Sequence, residues 1–207
     1  MSMRWMMVAL GLFCQVAFGQ GLISVPTGDV LEQGTLSVDA ELDTGNRWRS
    51  PENLVLTTWR YGMTKWLTIG ADVRLTRKVT AMPNFSVRLL RSSHWAMAYG
   101  VENVGVRSFG EQPYLTLSYA SGRGRWHLGW TNDERDEGMT GMEWRLSRRL
   151  TLQSDFITGT GNFFALGFQY SLSESASLSI AYLRPNDRRN ERGIFVDFNF
   201  SLAVIRH

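Results

Sequence analysis

This chain of 207 residues is short of the residues on which several kinds of protein depend. Its one cysteine is Cys14, so disulfide scaffolds and thiolate metal centres are excluded. His94, His127 and His207, its three histidines, have no ligand spacing, and no cofactor or metal is expected. Lysine occurs only at Lys65 and Lys78, and the formal charge of +3 is too weak to argue for nucleic acid. No apolar run is long enough for a membrane helix. No phosphate-cradling glycine loop occurs, since Gly122-Arg123-Gly124 is too short and belongs to a turn.

The first 19 residues have the layout of a cleaved signal peptide. Arg4 supplies the positive start, Trp5 to Phe13 the apolar stretch, and Ala17-Phe18-Gly19 the small residues before a cut. Bulky Phe13 before Cys14 argues against a lipid-modified cysteine. An exported chain of this kind is expected in the periplasm, the outer membrane or the medium. The division is therefore signal peptide 1–19, an extended lead-in 20–33 containing Gly21, Pro26 and Gly28, and one further domain, 34–207.

That domain alternates. From Gly193 to Leu202, Ile194, Val196, Phe198, Phe200 and Leu202 fall on one side, with Phe195, Asp197, Asn199 and Ser201 on the other. A period of two is a strand with two unlike faces. Twelve such stretches follow residue 34, among them Leu67 to Leu75, Leu115 to Tyr119, Trp126 to Trp130 and Phe164 to Tyr170. Connections alternate between tight turns, such as Gly62-Met63-Thr64, Gly122-Arg123 and Ser147-Arg148, and longer polar segments, such as Arg77 to Pro83, Asn132 to Gly138 and Pro185 to Arg192. The expectation is an all-β, transmembrane antiparallel β-barrel of about twelve strands in an up-and-down meander, in the outer membrane.

The two faces differ in chemistry. Trp59, Tyr61, Trp66, Trp95, Tyr119, Trp126, Trp144 and Tyr170 sit beside the tight turns, and Trp130 and Tyr182 toward the longer connections. Two rims of amphipathic rings are what membrane interfaces favour. The opposite face carries Gly70, Ala96, Ala98, Gly100, Gly129, Gly141, Ala165 and Gly167. It also carries Asp39, Glu41, Arg60, Asp72, Arg74, Arg88, Glu102, Ser118, His127, Glu143, Arg145, Asp155 and Asp197, assigned here to the lumen. Small residues make room inside a narrow barrel, and opposite charges pair across strands. A lining of both signs predicts weak ion selectivity.

Several phrases resemble a known family. Gly21-Leu22-Ile23-Ser24-Val25-Pro26-Thr27, with Val30-Leu31 and Gly34, is similar to the opening of YjbH-like outer-membrane proteins linked to exopolysaccharide production. Tyr61 to Gly70, and Gly141 to Leu146 with Leu150-Thr151-Leu152, resemble hairpins of such barrels, although this chain is much shorter than the large members. The resemblance implies an outer-membrane barrel, and more weakly a polysaccharide role.

One constellation carries a catalytic residue set. A two-residue, glycine-first type II′ turn at Gly122-Arg123 pairs Ser121 with Gly124 and sets Ser118 opposite His127. Pairing Trp130 with Thr140 brings Glu143 beside His127, completing nucleophile, base and orienter. No Gly-x-Ser-x-Gly elbow surrounds Ser118, and strand N–H groups are already spent, so an oxyanion donor is lacking. The row reads as lumenal hydrogen bonding, and the chain as not an enzyme. Asp133 to Glu137 reads as a solvated acidic loop, and Arg188, Arg189 and Arg192 as candidates for lipopolysaccharide phosphate. Expected partners are outer-membrane lipid and lipopolysaccharide, with a polysaccharide or small polar solute as cargo. The leading function is a narrow channel or binding barrel, and the alternative a structural or anchoring barrel without conductance, its lumen plugged by side chains or by residues 20–33.

Overall fold

The computed structural model describes residues 22–43, 55–75, 79–106, 110–132 and 135–204; the leader and Cys14 lie outside them. Alternating sequence becomes strand throughout: β1 Thr35–Asp43, β2 Val55–Gly62, β3 Leu67–Leu75, β4 Val79–Arg91, β5 Trp95–Glu102 and β6 Gln112–Ser121. The remainder are β7 Gly124–Asn132, β8 Asp136–Arg145, β9 Leu150–Ile157, β10 Phe163–Ser171, β11 Ala176–Pro185 and β12 Gly193–Ala203. Each strand pairs antiparallel with its sequence neighbours, and β1 also pairs with β12, from Thr35↔Ala203 to Asp43↔Phe195. The result is a closed twelve-stranded meander barrel. Closure removes the unpaired edge on which another chain would build.

The tight turns share one end of the barrel with Thr35 and Ala203, and a hydroxyl closes most of them. Thr64, Ser92 and Ser147 accept from the N–H three residues on, in Leu67, Trp95 and Leu150, at 3.0–3.1 Å. Gly122 supplies φ +59 in the two-residue Gly-Arg turn, where a side chain would be strained. That turn pairs Ser121 with Gly124 and Ser118 with His127.

Three local expectations are corrected. Strand β4 starts at Val79, so Arg77 to Pro83 is not a free loop. Pro83 pairs with Ala71, and its carbonyl accepts from Val104 N–H at 2.8 Å. This is just past the end of β5 at Glu102, where the regular ladder that needs a donor at every second residue has ended. Strand β8 starts at Asp136, so only residues 133–135 connect it to β7. Trp130 then pairs with Gly138, two residues from the expected Thr140.

A bulge between Arg88 and Leu90 adds one residue to β4. Beyond it Leu90, instead of Leu89, faces the outward-pointing Met97.

Most leucines, phenylalanines and tryptophans of the strands lie on the outside. Leu128, at the middle of β7, is 65 % exposed, and Ile69, Leu166, Phe168, Ile180 and Phe198 are exposed too. The inside holds Thr116, Ser118, Ala98 and Ala165, all nearly inaccessible.

Candidate functional site

The lumen is occupied by the chain's own lead-in. Residues 22–34 enter at the turn end, where Gly34 N–H donates to Gly62 at 2.8 Å, and run toward the loop end. Five apolar residues of this segment, Leu22, Ile23, Val25, Val30 and Leu31, are buried. Ile23 packs on Ala165, Ala181, Leu183 and Phe195; Leu22 and Val25 meet Tyr114 and Met139. The small residues of the wall are therefore a seat. A methyl added at Gly141 collides with Leu22 Cδ1, and one added at Gly28 with the Ala96 carbonyl and Ser118 Oγ.

Polar groups of the wall satisfy the backbone of the segment, which a buried loop requires. Near the turn end Arg91 pairs with Glu32 at 2.7 Å, and Thr68 Oγ1 accepts from Leu31 N–H at 2.9 Å. Arg88 Nη2 donates to the Val30 carbonyl at 3.0 Å, and Arg125 pairs with Asp29. Higher up, Gly28 N–H donates to Ser118 Oγ at 2.7 Å. Higher again, the Asp155 carboxylate accepts from Ser24 and Val25 at 2.7 and 3.3 Å.

Ser118, His127 and Glu143 do meet. Ser118 Oγ lies 2.8 Å from His127 Nδ1, and His127 Nε2 lies 3.2 Å from Glu143 Oε1, without the alignment of a full hydrogen bond. The contact is diagonal, because His127 pairs with Gly141 and Glu143 with Arg125. Ser118 Oγ thus accepts from Gly28 N–H and shares a further hydrogen bond with His127 Nδ1. Ser118 is only 1 % exposed beneath the segment, so an ester has no approach to it.

Between the segment and the walls of β1–β6 and β10–β12 lies a chamber of about 210 Å³. Asp39, Glu41, Asp72, Glu102 and Asp197 line it with Asp29, against Arg60. Glu41 directly faces Asp197 across β1 and β12. Thr58 donates to Asp72 at 2.8 Å, Asn199 donates to Asp39, and Arg60 stands 3.8 Å from Asp39. The expected mixed lining is thus revised. Arg88 is engaged on the segment and Arg145 is exposed at the turn-end rim, so the chamber is predominantly acidic. Arg74 is half-buried at the loop end of β3, opposite Leu56, which also lines the chamber.

Sequence reasoning offered residues 20–33 as a lumen plug only for the structural alternative, although a further signal existed. Met139, Ala181, Leu183 and Phe195 are apolar on the inward face, where a water-filled lumen has no use for them.

The aromatics face outward. Trp59, Trp66, Trp95, Trp126, Trp130, Trp144, Tyr170 and Tyr182 are exposed, with Tyr61 and Tyr119 half-buried. Among the loop residues, Arg189 forks onto Asp187 at 2.7–3.1 Å, and this holds the Asp187 carboxyl below the usual carboxylate range. Asp136 and Glu137 of the acidic run accept from Trp130, Asn132 and Asn162, so the run is not simply solvated.

No family model and no curated protein matches the chain. Among solved structures, an engineered variant of the Rhodopseudomonas blastica porin superimposes with a TM-score of 0.46 at 12 % identity, over 82 % of this chain and 74 % of that one. A structure described as "Asymmetric conductivity of engineered proteins" gives a TM-score of 0.45 at 13 % identity, over 74 % of this chain. The chain spans 57 % of the length of that second structure.

Proposed function

We propose that the chain is an integral outer-membrane barrel, exported by a cleaved leader, whose lumen is a self-occluded binding chamber for a small polar solute and not an open pore. The membrane location rests on the outer face: a band of exposed Leu, Ile, Phe and Trp around a closed barrel suits acyl chains and is costly in water. The reading of the lumen is carried by one observation, that residues 22–34 thread it and border a chamber of about 210 Å³. Typical sites for drug-sized ligands hold about 300–1,000 Å³, so this chamber suits a small solute and not a polymer in transit. Its carboxylates favour a neutral or cationic solute over an anion. Passage of a saccharide chain, the role suggested by the YjbH-like phrases, requires the segment to leave.

Catalysis is not part of this reading, because the Ser118 row serves as a docking point for Gly28. Planar-bilayer recording and liposome swelling test the proposal together. The intact protein is expected to show little steady conductance yet to admit small neutral or cationic solutes. Deletion of residues 22–31 is expected to open a steady conductance. A wide open channel in the intact protein ends the reading. The filled lumen also favours a second reading, a purely structural envelope barrel, and exclusion of every small solute by the intact protein selects it.

A further inference from the structure

Charge at the turn end is concentrated in one sector. The β6–β7 and β8–β9 turns hold Arg123, Arg148 and Arg149, all exposed, and neither turn contains an acidic residue. The two turns are neighbours: Arg145 N–H donates to the Arg123 carbonyl at 2.9 Å, and Gly124 pairs with Trp144. Elsewhere on this rim the cations are engaged, Arg91 with Glu32 and Lys65 over the Trp66 ring, and the β10–β11 turn carries Glu174. Ser147 Oγ fixes the β8–β9 turn by accepting from Arg149 and Leu150 N–H at 3.2 and 3.1 Å. Among the described residues no carboxylate pairs with Arg123, Arg148 or Arg149.

Immediately up the wall runs a row of rings. Trp95 and Tyr119 are 4.5 Å apart between centroids, Tyr119 and Trp126 6.0 Å, and Trp126 and Trp144 6.4 Å. Gly124 has no side chain where the two indoles crowd it, and a methyl there meets both rings. An aromatic row marks the level of the membrane interface, and guanidiniums just beyond it stand at headgroup depth. The planar fork of arginine matches a phosphate.

We propose that these two turns form a binding site for the phosphate of an anionic phospholipid in the leaflet on the turn side, with the acyl chains lying along Trp126 and Trp144. This inference rests on the membrane reading above. Phosphatidylglycerol is the probe and phosphatidylcholine of the same chain length its zwitterionic control.

The test is native mass spectrometry of the refolded full chain, titrated with each lipid. Phosphatidylglycerol is expected to bind about thirtyfold more tightly, as attraction of about 1 kcal/mol per basic residue at an anionic surface implies for two engaged arginines. The variant R123Q/R148Q/R149Q is expected to lose that preference, whereas R188Q/R192Q at the loop end retains it. Equal binding of the two lipids overturns the site. So does a preference that survives in the turn variant or disappears equally in the loop variant. Displacement of the lipid by inorganic phosphate alone assigns the arginines to a free anion and also overturns it. Tryptophan quenching by brominated phosphatidylcholine in vesicles reports insertion separately. Quenching without a phosphatidylglycerol preference ends this proposal alone, whereas absent quenching ends the membrane reading beneath it.

Discussion

The Asp155 carboxylate and the Ser24 amide, 131 residues apart in sequence, lie 2.7 Å from each other inside the barrel. The same oxygen also accepts from Val25, so one wall side chain satisfies two backbone donors of the occluding segment. Below it the segment has Gly28 on Ser118 and the contacts of Thr68, Arg88, Arg91 and Arg125. Asp155 is thus the uppermost polar hold, and its loss frees the part of the segment that borders the chamber. Asp155→Ala is expected to lower stability by about 1–3 kcal/mol, the cost of leaving buried donors unpaired. It is also expected to raise bilayer conductance in bursts, with Asp155→Asn in between. Conductance unchanged from wild type in Asp155→Ala counts against a releasable upper half.

Gly141 and Leu22 are coupled by shape. Gly141→Val places carbon where Leu22 Cδ1 sits, so it is expected to destabilise the closed barrel by about 1–3 kcal/mol, as overpacking generally does. Leu22→Ala vacates that space at its own cost of about 2 kcal/mol. The loss in the double variant is expected to fall short of the sum of the two single losses by at least about 0.5 kcal/mol, the size usual for residues in contact. Urea unfolding of the four proteins in detergent measures this. Strict additivity means that Leu22 does not occupy the seat in solution.

Ser118 separates a docking role from catalysis. Ser118→Ala removes the acceptor of Gly28 N–H and the partner of His127 Nδ1, with an expected loss of about 1–3 kcal/mol. Hydrolysis of p-nitrophenyl esters by purified protein is expected to be the same for wild type and variant. A serine-dependent rate in the wild type reopens the enzyme reading.

The strands were legible because alternation is a local property that needs only the residues themselves. The Ser118–His127 pairing was legible too, since a two-residue turn leaves a hairpin one register. Between β7 and β8 the connection is longer and its chemistry does not fix the register, so Trp130 was paired two residues away from its partner. Proline at position 83 suggested a loop, but whether its missing donor matters depends on where β5 ends, which is a fact of the whole barrel. The seat of residues 22–34 was the least legible feature. Its contacts, such as Leu22 with Met139 and Ile23 with Phe195, join parts of the chain that no periodicity links. The face assigned to the lumen contained those apolar residues, but polarity alone does not show that a peptide rests on them.

Leu128 tests the outer face most directly. It lies midway along β7, between Leu117 of β6 and Thr140 of β8, and points away from the lumen with 65 % of its surface open. In a barrel surrounded by water, replacing such a residue by arginine removes little packing and changes stability by about 0.5 kcal/mol or less. In a barrel surrounded by acyl chains the same arginine must carry its charge to the middle of the hydrocarbon, which costs about 2–4 kcal/mol. Leu202→Arg, near the end of β12 at the turn side, is expected to cost no more than about 1 kcal/mol, because interface depth relieves the charge. Urea titration of both variants folded in vesicles therefore yields a difference between the two sites. Equal small losses at Leu128 and Leu202 remove the physical basis for placing this barrel in a membrane.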